Sequence, residues 1–177
     1  MARKYAILAM LAGLCLSGCK SSPNEIATGA PIETPIKITA CQLMTDPAAY
    51  NHKLVEVSGH VSVGFEEFSI YPDDGCAAKD SPWLELGGSV EAGVTYCCGD
   101  HSRNVPLEVE GIVTPLVDDW RTRRFVKAAQ TGSAAGPTTL VGRFFSGNKL
   151  VQPWGTFWVG YGHMGCCSLL VIQQVLD

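Results

Sequence analysis

The segment from Leu54 to Val63 constrains the fold more than any other part of the chain, because its side chains alternate strictly. One face carries Val55, Val57, Gly59, Val61 and Val63, and the other carries Leu54, Glu56, Ser58, His60 and Ser62. Alternation with a period of two predicts a β-strand that has one face in a core and the other near water. Gly59 in its middle favours the sharp bend that a small closed barrel requires.

The N-terminal residues predict export and a lipid anchor. Two basic residues precede an apolar run from Tyr5 to Leu16, which is too short to span a bilayer. This order of regions is typical of a secretory signal peptide, here residues 1–18. The run ends in Leu-Ser-Gly-Cys19, which resembles the lipobox of bacterial lipoproteins. The resemblance implies that Cys19 becomes the first mature residue and carries a diacylglycerol group and an N-linked acyl chain such as palmitate.

The residues after Cys19 predict where the mature protein is held. Residues 19–38 are rich in Ser, Pro, Thr and Ala, which predicts a flexible tether. Lys20 follows the cysteine, and the absence of Asp there favours the outer membrane by the sorting rule of enteric bacteria. We therefore expect a cell-envelope protein that is attached by its lipid to the outer membrane and faces the periplasm.

The charge of the chain argues against nucleic acid as a partner. The full sequence has 13 basic and 17 acidic residues, and removal of the signal peptide would take away Arg3 and Lys4. Nucleic-acid binding depends on Lys and Arg that displace counterions from phosphates. An acidic mature domain is therefore expected to bind other partners.

A longer pattern of residues resembles a known family. The spacing Leu43-x3-Pro47-x2-Tyr50-x2-Lys53-x-Val55-x-Val57-x-Gly59 resembles the opening of an uncharacterised family of exported bacterial proteins with an oligomer-binding (OB) type barrel. Gly142-Arg-Phe and Gly160-Tyr-Gly-His-Met-Gly, followed by an apolar strand, resemble its end. Members usually carry glycine where this chain has His52. The resemblance implies a mainly β fold, a small OB-like Greek-key barrel with one short N-terminal helix and one inserted helix, and no catalytic residues.

This fold assigns the rest of the chain to elements. A single domain covers residues 39–177, and its five barrel strands are expected at 53–64, 67–72, 82–87, 138–146 and 168–176. Residues 89–137 form an insertion with a helix from Asp118 to Gln130 and a strand from Leu107 to Val113. That strand repeats the pattern of residues 55–61, so an internal duplication and a barrel of six strands are alternatives. A small sandwich is a further alternative.

The cysteines predict disulfides. Of the eight cysteines, Cys15 lies in the signal peptide and Cys19 is the lipidation site, which leaves Cys41, Cys76, the pair Cys97-Cys98 and the pair Cys166-Cys167. Six cysteines in an exported domain predict three disulfides of unknown connectivity. Adjacent cysteines on an extended chain point to opposite sides. Each adjacent pair is therefore expected to reach two different partners.

A metal site is the alternative for the same residues. Cys97-Cys98-Gly-Asp-His101 and His163-Met-Gly-Cys166-Cys167 combine thiolates and imidazoles, which suit zinc or cuprous copper. Adjacent cysteines lack the spacing that turns two sulfurs toward one ion, so we expect no cofactor. The sequence has no phosphate-binding loop and no zinc-protease or nucleophile motif. An enzyme is therefore not expected, and a metal- or thiol-dependent periplasmic enzyme is kept as the alternative function.

An aromatic segment near the C-terminus predicts a binding surface. Trp154, Phe157, Trp158 and Tyr161 lie among glycines between residues 152 and 162. Such rings stack on sugars and anchor interfaces, although they would equally suit the core of a long hairpin. The predicted function is a non-catalytic binding or structural module of the envelope. Its expected partners are the membrane, through the lipid, and an envelope glycan or protein.

Overall fold

The computed structural model describes residues 33–73, 75–78, 80–90, 95–96, 99–100, 102–133 and 136–177. The strands in these ranges are β1 (Ile36–Thr39), β2 (Leu54–Gly64), β3 (Glu67–Tyr71), β4 (Trp83–Leu86), β5 (Thr95–Tyr96), β6 (Gly99–Asp100), β7 (Glu108–Val109), β8 (Ile112–Val113), β9 (Gly136–Phe145), β10 (Asn148–Gln152), β11 (Gly155–Val159) and β12 (Leu169–Val175). The helices are α1 (Ala40–Thr45) and α2 (Trp120–Gln130), with 3₁₀ turns at Pro47–Tyr50 and His163–Gly165. The described part of the protein is therefore mainly β.

Five of the strands form a closed barrel. Their hydrogen-bonded order is β2-β3-β4-β12-β9, and the pairing of β9 with β2 closes the ring. β4 and β12 run parallel, whereas the other neighbouring barrel strands run antiparallel. This order is that of an OB-like Greek-key barrel, with α2 in the connection between the third and fourth barrel strands. The predicted fold class is confirmed.

Gly59 divides β2 into two halves with different neighbours. Residues 55–58 pair in parallel with β1, and residues 60–64 pair with β3, while β9 runs along the other edge of the strand. A Cβ atom on Gly59 would lie 2.4 Å from the carbonyl oxygen of Tyr71. Glycine is therefore needed where β1 ends and the backbone of β3 comes close. The sequence singled out Gly59 as the site of a bend, and the structure shows that the close approach of β3 requires glycine there.

The barrel strands lie within two residues of their predicted bounds, but residues 107–113 differ. They form the short hairpin β7–β8, which turns at Glu110 and Gly111 with φ of 49° and 76°. Because this segment reverses where β2 runs on through Gly59, the single strand predicted from Leu107 to Val113 and the alternative of a six-stranded barrel are wrong. The sixth strand of the main sheet is β1, and three of its four residues belong to the segment 19–38 that was predicted to be a tether.

Local capping starts both helices. Thr39 accepts a hydrogen bond from the backbone of Gln42, whose side chain accepts one from the backbone of Thr39, and this capping box begins α1. Asp119 caps α2 by accepting from the backbone N–H of Thr122. The predicted helix from Asp118 to Gln130 is thus confirmed, with its first helical residue at Trp120. Neither helix in the described ranges is long and apolar enough to cross a membrane.

The core fills the barrel. The largest fully buried side chains are Phe68, Phe144, Phe145, Leu43, Ile70, Leu84, Leu140, Leu170, Ile172, Val55, Val57 and Val61. Three valines of the predicted inward face of β2 are among them. α2 packs against the barrel through Phe125, whose ring centroid is 6.3 Å from that of Phe68. Burial of this apolar surface is the main stabilising contribution to the fold.

One disulfide joins distant parts of the domain. Cys41 in α1 is bonded to Cys76 in the loop between β3 and β4, with a sequence separation of 35 and a Cα–Cα distance of 5.7 Å. The bond holds α1 against the residues that precede β4. A disulfide in this domain was predicted from composition, whereas its partners come from the structure alone.

Candidate functional site

The hairpin β10–β11 occupies the connection between the last two strands of the barrel, β9 and β12. Lys149 pairs with Trp158 and Leu150 with Phe157, and the hairpin turns at Pro153 and Trp154. Barrels of the OB type bind oligosaccharides and oligonucleotides with this connection and with the loop between their first two strands. The hairpin therefore lies where the fold places ligands.

The aromatic side chains of the hairpin are not part of the barrel core. Trp154 at the turn is 77 % exposed, while Phe157 and Trp158 are half-buried. The neighbouring side chains of Leu150 and Val151 are 42 % and 69 % exposed. Clustered apolar side chains on a surface mark binding sites.

These aromatics form one wall of a cleft of about 690 Å³. Trp154, Phe157, Trp158 and Lys149 line one side, and Asp46, Ala77 and Asp80 line the other. The second wall consists of the end of α1 and the loop that follows Cys76, which are held together by the disulfide Cys41–Cys76. The tertiary structure thus joins three distant segments around flat rings, two carboxyl groups and one ammonium group.

The structure places three of the four residues of the predicted aromatic segment along one cleft. The structure brings Trp154, Phe157 and Trp158 together in the cleft, but Tyr161 does not line it. Tyr161 packs against the core, with its ring centroid 6.2 Å from that of Phe145. The difference arises because Gly160 ends the hairpin and the chain turns back toward the barrel.

Tyr161 instead belongs to a cluster with Glu110 and His52. The hydroxyl of Tyr161 donates to one oxygen of Glu110, and Nε2 of His52 lies 2.5 Å from the other. The bonds from Tyr161 and then His52 hold the pKa of the Glu110 carboxyl below its usual 4.5. Burial, together with the bond to Glu110, raises the pKa of Tyr161. The ionised carboxylate fastens the β7–β8 hairpin to the end of the barrel.

The backbone of this cluster is in an unusual conformation. His52 and Glu110 have φ of 60° and 49°, which non-glycine residues rarely adopt. The N–H of His52 donates to the carbonyl of Phe144 over 2.8 Å, and Nη1 of Arg143 donates to the carbonyl of His52 over 2.9 Å. The only sequence signal was His52 at a position where glycine was expected. Nothing in the sequence linked it to Glu110 or Tyr161.

The structure corrects one prediction for the cysteines. Cys166 is bonded to its neighbour Cys167, with a Cα–Cα distance of 3.7 Å, so the expectation that each adjacent pair reaches two different partners is wrong for this pair. The chain is not extended here, since it leaves a 3₁₀ turn at His163–Gly165. The predicted opposition of neighbouring side chains therefore does not apply.

The predicted metal ligands are only partly within the described ranges. Cys97, Cys98 and His101 lie outside the residues whose side chains are described, as does Cys19, the predicted lipidation site. Nε2 of His163 lies 3.7 Å from a carboxylate oxygen of Glu66. No group of three His, Cys, Asp or Glu side chains in the described part of the chain is arranged to hold a metal ion.

No model of a known protein family matches the chain, and neither does any curated protein or solved structure. The candidate site is therefore defined by its own geometry. It is the cleft between the β10–β11 hairpin and the α1 wall, here called the hairpin cleft.

Proposed function

We propose that the protein is a lipid-anchored, non-catalytic module of the bacterial cell envelope that binds a glycan in the hairpin cleft. The observation that carries the proposal is Trp154, a large apolar side chain that is 77 % exposed at the mouth of a cleft lined by two further aromatic rings. A tryptophan in this position contributes little to the core and offers a flat face to a ligand.

The chemistry of the hairpin cleft favours a sugar over other ligands. Aromatic rings pack against the C–H faces of sugar rings, while carboxylates accept hydrogen bonds from sugar hydroxyls. Asp46 and Asp80 supply two acidic groups, and Lys149 supplies one basic group. This balance disfavours a polyanion such as nucleic acid, which needs a basic surface. It suits a hydroxyl-rich glycan of low charge density, such as the sugar chain of peptidoglycan.

The position in the fold adds support by analogy. The connection between the last two barrel strands is a ligand-binding loop in OB-type barrels. The loop between β2 and β3, the other such loop, carries Phe65, which is 81 % exposed. Analogy of fold alone does not assign a ligand, so the glycan rests on the residues of the hairpin cleft.

The alternative function is a metal- or thiol-dependent periplasmic enzyme. Such an enzyme needs thiolates that are free or bound to a metal. Cys166 and Cys167 are bonded to each other and so offer no thiolate to a metal ion, and this observation favours the binding module over a metal-dependent enzyme.

Trp154→Ala tests the glycan site. Because Trp154 packs little against the core, the free energy of unfolding is expected to change by less than about 0.5 kcal/mol. Loss of the ring should raise the Kd for soluble peptidoglycan fragments about tenfold or more. Isothermal titration calorimetry beside a thermal melt of each variant measures both effects.

Trp120→Ala is the matched control for this experiment. Trp120 is also exposed, at 61 %, but it lies on α2 and does not line the hairpin cleft. Its substitution should leave binding unchanged. Equal losses of affinity in both variants, or no binding of peptidoglycan fragments by the unaltered protein, would contradict the glycan proposal, and a partner protein would then be the occupant to test.

The lipid anchor is tested at Cys19. The segment that ends at Cys19 resembles a lipobox, and in bacterial lipoproteins diacylglycerol is transferred to the sulfur of the lipobox cysteine. Cys19→Ser is therefore expected to give an unprocessed precursor that does not incorporate labelled palmitate in growing cells. A processed, unacylated mature protein from this variant, detected by mass spectrometry, would refute the anchor while leaving the glycan proposal untouched.

A further inference from the structure

The disulfide Cys166–Cys167 lies in a tightly folded loop between the hairpin and the last barrel strand. In this loop Tyr161 and Cys167 exchange two backbone hydrogen bonds of 3.0 Å, and the N–H of Gly160 donates to the carbonyl of Gly165 over 3.0 Å. Gly162 packs against the ring of Trp83, where a Cβ atom would lie 2.8 Å from the ring carbons. The two bonded cysteines lie at the C-terminal end of this loop.

This disulfide cannot stabilise the fold in the usual way. A disulfide restricts the unfolded chain, and the restriction grows with the length of the loop that it closes. Cys166 and Cys167 are adjacent, whereas Cys41 and Cys76 are separated by 35 residues. The adjacent pair therefore removes almost none of the freedom of the unfolded chain. Restriction of the unfolded chain therefore does not account for this bond.

The bond is also accessible. Cys166 is exposed and Cys167 is half-buried, and both line an open cleft of about 530 Å³ beside Trp83, Glu66 and Asp80. Cys41 and Cys76 are both half-buried. Attack on a disulfide requires that a thiolate reach one of its sulfur atoms. As a residue, Cys166 is more exposed than either cysteine of the other described disulfide, and it is therefore the better target for attack.

We propose that Cys166–Cys167 is a site of thiol–disulfide exchange, reduced by a dithiol protein of the thioredoxin class. A thiolate of the donor attacks Sγ of Cys166, so that one S–S bond forms as the bond to Cys167 breaks, and the Cys167 thiolate takes a proton from water. The second thiol of the donor, as its thiolate, then attacks the mixed disulfide and releases Cys166. The donor loses two electrons and becomes a disulfide, and the pair gains them as two thiols.

The charges around the cleft favour a protein donor over a small anionic thiol. Glu66, Glu67 and Asp80 line the cleft, and His163 approaches Glu66. Carboxylates repel an anion such as glutathione at close range. A protein dithiol can bring its own basic surface to the contact and compensate for this repulsion.

Reduction would loosen the loop and leave the barrel intact. Without the ring that joins their sulfurs, Cys166 and Cys167 recover free rotation, and the paired hydrogen bonds between Tyr161 and Cys167 lose their support. Tyr161 also binds Glu110, so the change reaches the β7–β8 hairpin. The core strands β12 and β9 pair independently of the loop.

Graded reduction of the full mature protein with dithiothreitol tests the proposal. After each step, free thiols are alkylated and assigned by peptide mapping, so that each cysteine is read separately. Cys166 and Cys167 should become alkylated at a dithiothreitol concentration about tenfold lower than Cys41 and Cys76 require. Over the same range, hydrogen exchange of the Tyr161 and Cys167 amides should accelerate. At equal thiol concentration, the anionic monothiol glutathione should act more slowly than the neutral monothiol 2-mercaptoethanol.

The Cys166→Ser/Cys167→Ser variant is the control. Its amides at positions 161 and 167 should exchange rapidly, and dithiothreitol should not alter their rates. Reduction of Cys41–Cys76 at the same dithiothreitol concentration as Cys166–Cys167, or at a lower one, would contradict the proposed exchange site. Unchanged protection of the Tyr161 and Cys167 amides after selective reduction of Cys166–Cys167 would contradict it as well. Equal rates with glutathione and 2-mercaptoethanol would overturn the choice of a protein donor. None of these outcomes depends on whether the hairpin cleft binds a glycan.

Discussion

Phe144→Ala is expected to lower the free energy of unfolding by about 3–5 kcal/mol, the range for removing a buried phenylalanine ring. Phe144 is fully buried in the barrel. It lies opposite Leu170 in the pairing of β9 with β12, and its backbone N–H and C=O bond to the turn before β2. Neighbours held on both sides cannot collapse into the space that is left, so a cavity remains. A domain of this size has only about 5–15 kcal/mol of stability to lose.

Urea unfolding followed by circular dichroism measures this loss. Phe65→Ala is the matched control, because Phe65 is the same residue type and is 81 % exposed in the loop between β2 and β3. Its substitution should change stability by less than about 0.5 kcal/mol. Similar losses in both variants would show that Phe144 does not pack in a closed barrel.

Replacing both Cys41 and Cys76 by alanine is expected to lower the free energy of unfolding by about 3–4 kcal/mol. The bond closes a long loop, with a sequence separation of 35, and its removal restores conformational freedom to the unfolded chain. For a domain of this size the melting temperature should fall by roughly 6–16 °C. Because the same bond holds the α1 wall of the hairpin cleft, binding of peptidoglycan fragments should weaken as well.

Calorimetric melting of the two double variants separates the roles of the two described disulfides. The Cys166–Cys167 bond joins adjacent residues and closes no long loop in the unfolded chain. Its removal in the Cys166→Ser/Cys167→Ser variant should therefore lower the melting temperature only slightly. The reverse order, with the adjacent pair more important for stability, would contradict both the entropic argument and the exchange site.

Much of the barrel could be predicted from residues that are close in the chain. The alternation from Leu54 to Val63 reflects the two faces of a strand, which are set by backbone geometry at each residue. Thr39 and Asp119 cap their helices through contacts only three residues away. Local patterns of this kind give the same signal in any fold, so they predicted the strands and helices, whereas the OB-like barrel was implied by the resemblance to a family.

The candidate site could be predicted only in part. The sequence identified the aromatic segment, but it did not distinguish Trp154, which is exposed, from Tyr161, which packs against the core. The two residues lie in the same glycine-rich segment and differ in what other segments bring against them. The α1 wall of the hairpin cleft comes from a part of the chain about a hundred residues earlier, and no local pattern encodes that distance.

The sequence by itself determined the period of each strand, the ends of the helices and the presence of disulfides, because these depend on neighbouring residues and on the number of cysteines. Only the tertiary structure decided that Cys41 pairs with Cys76, that β1 joins β2 and that Glu110 binds both His52 and Tyr161. Each of these contacts joins residues that many intervening positions separate. These contacts depend on how the whole chain packs. Burial of the core brings the two partners of each contact together, and the residue types alone do not specify which residues become partners.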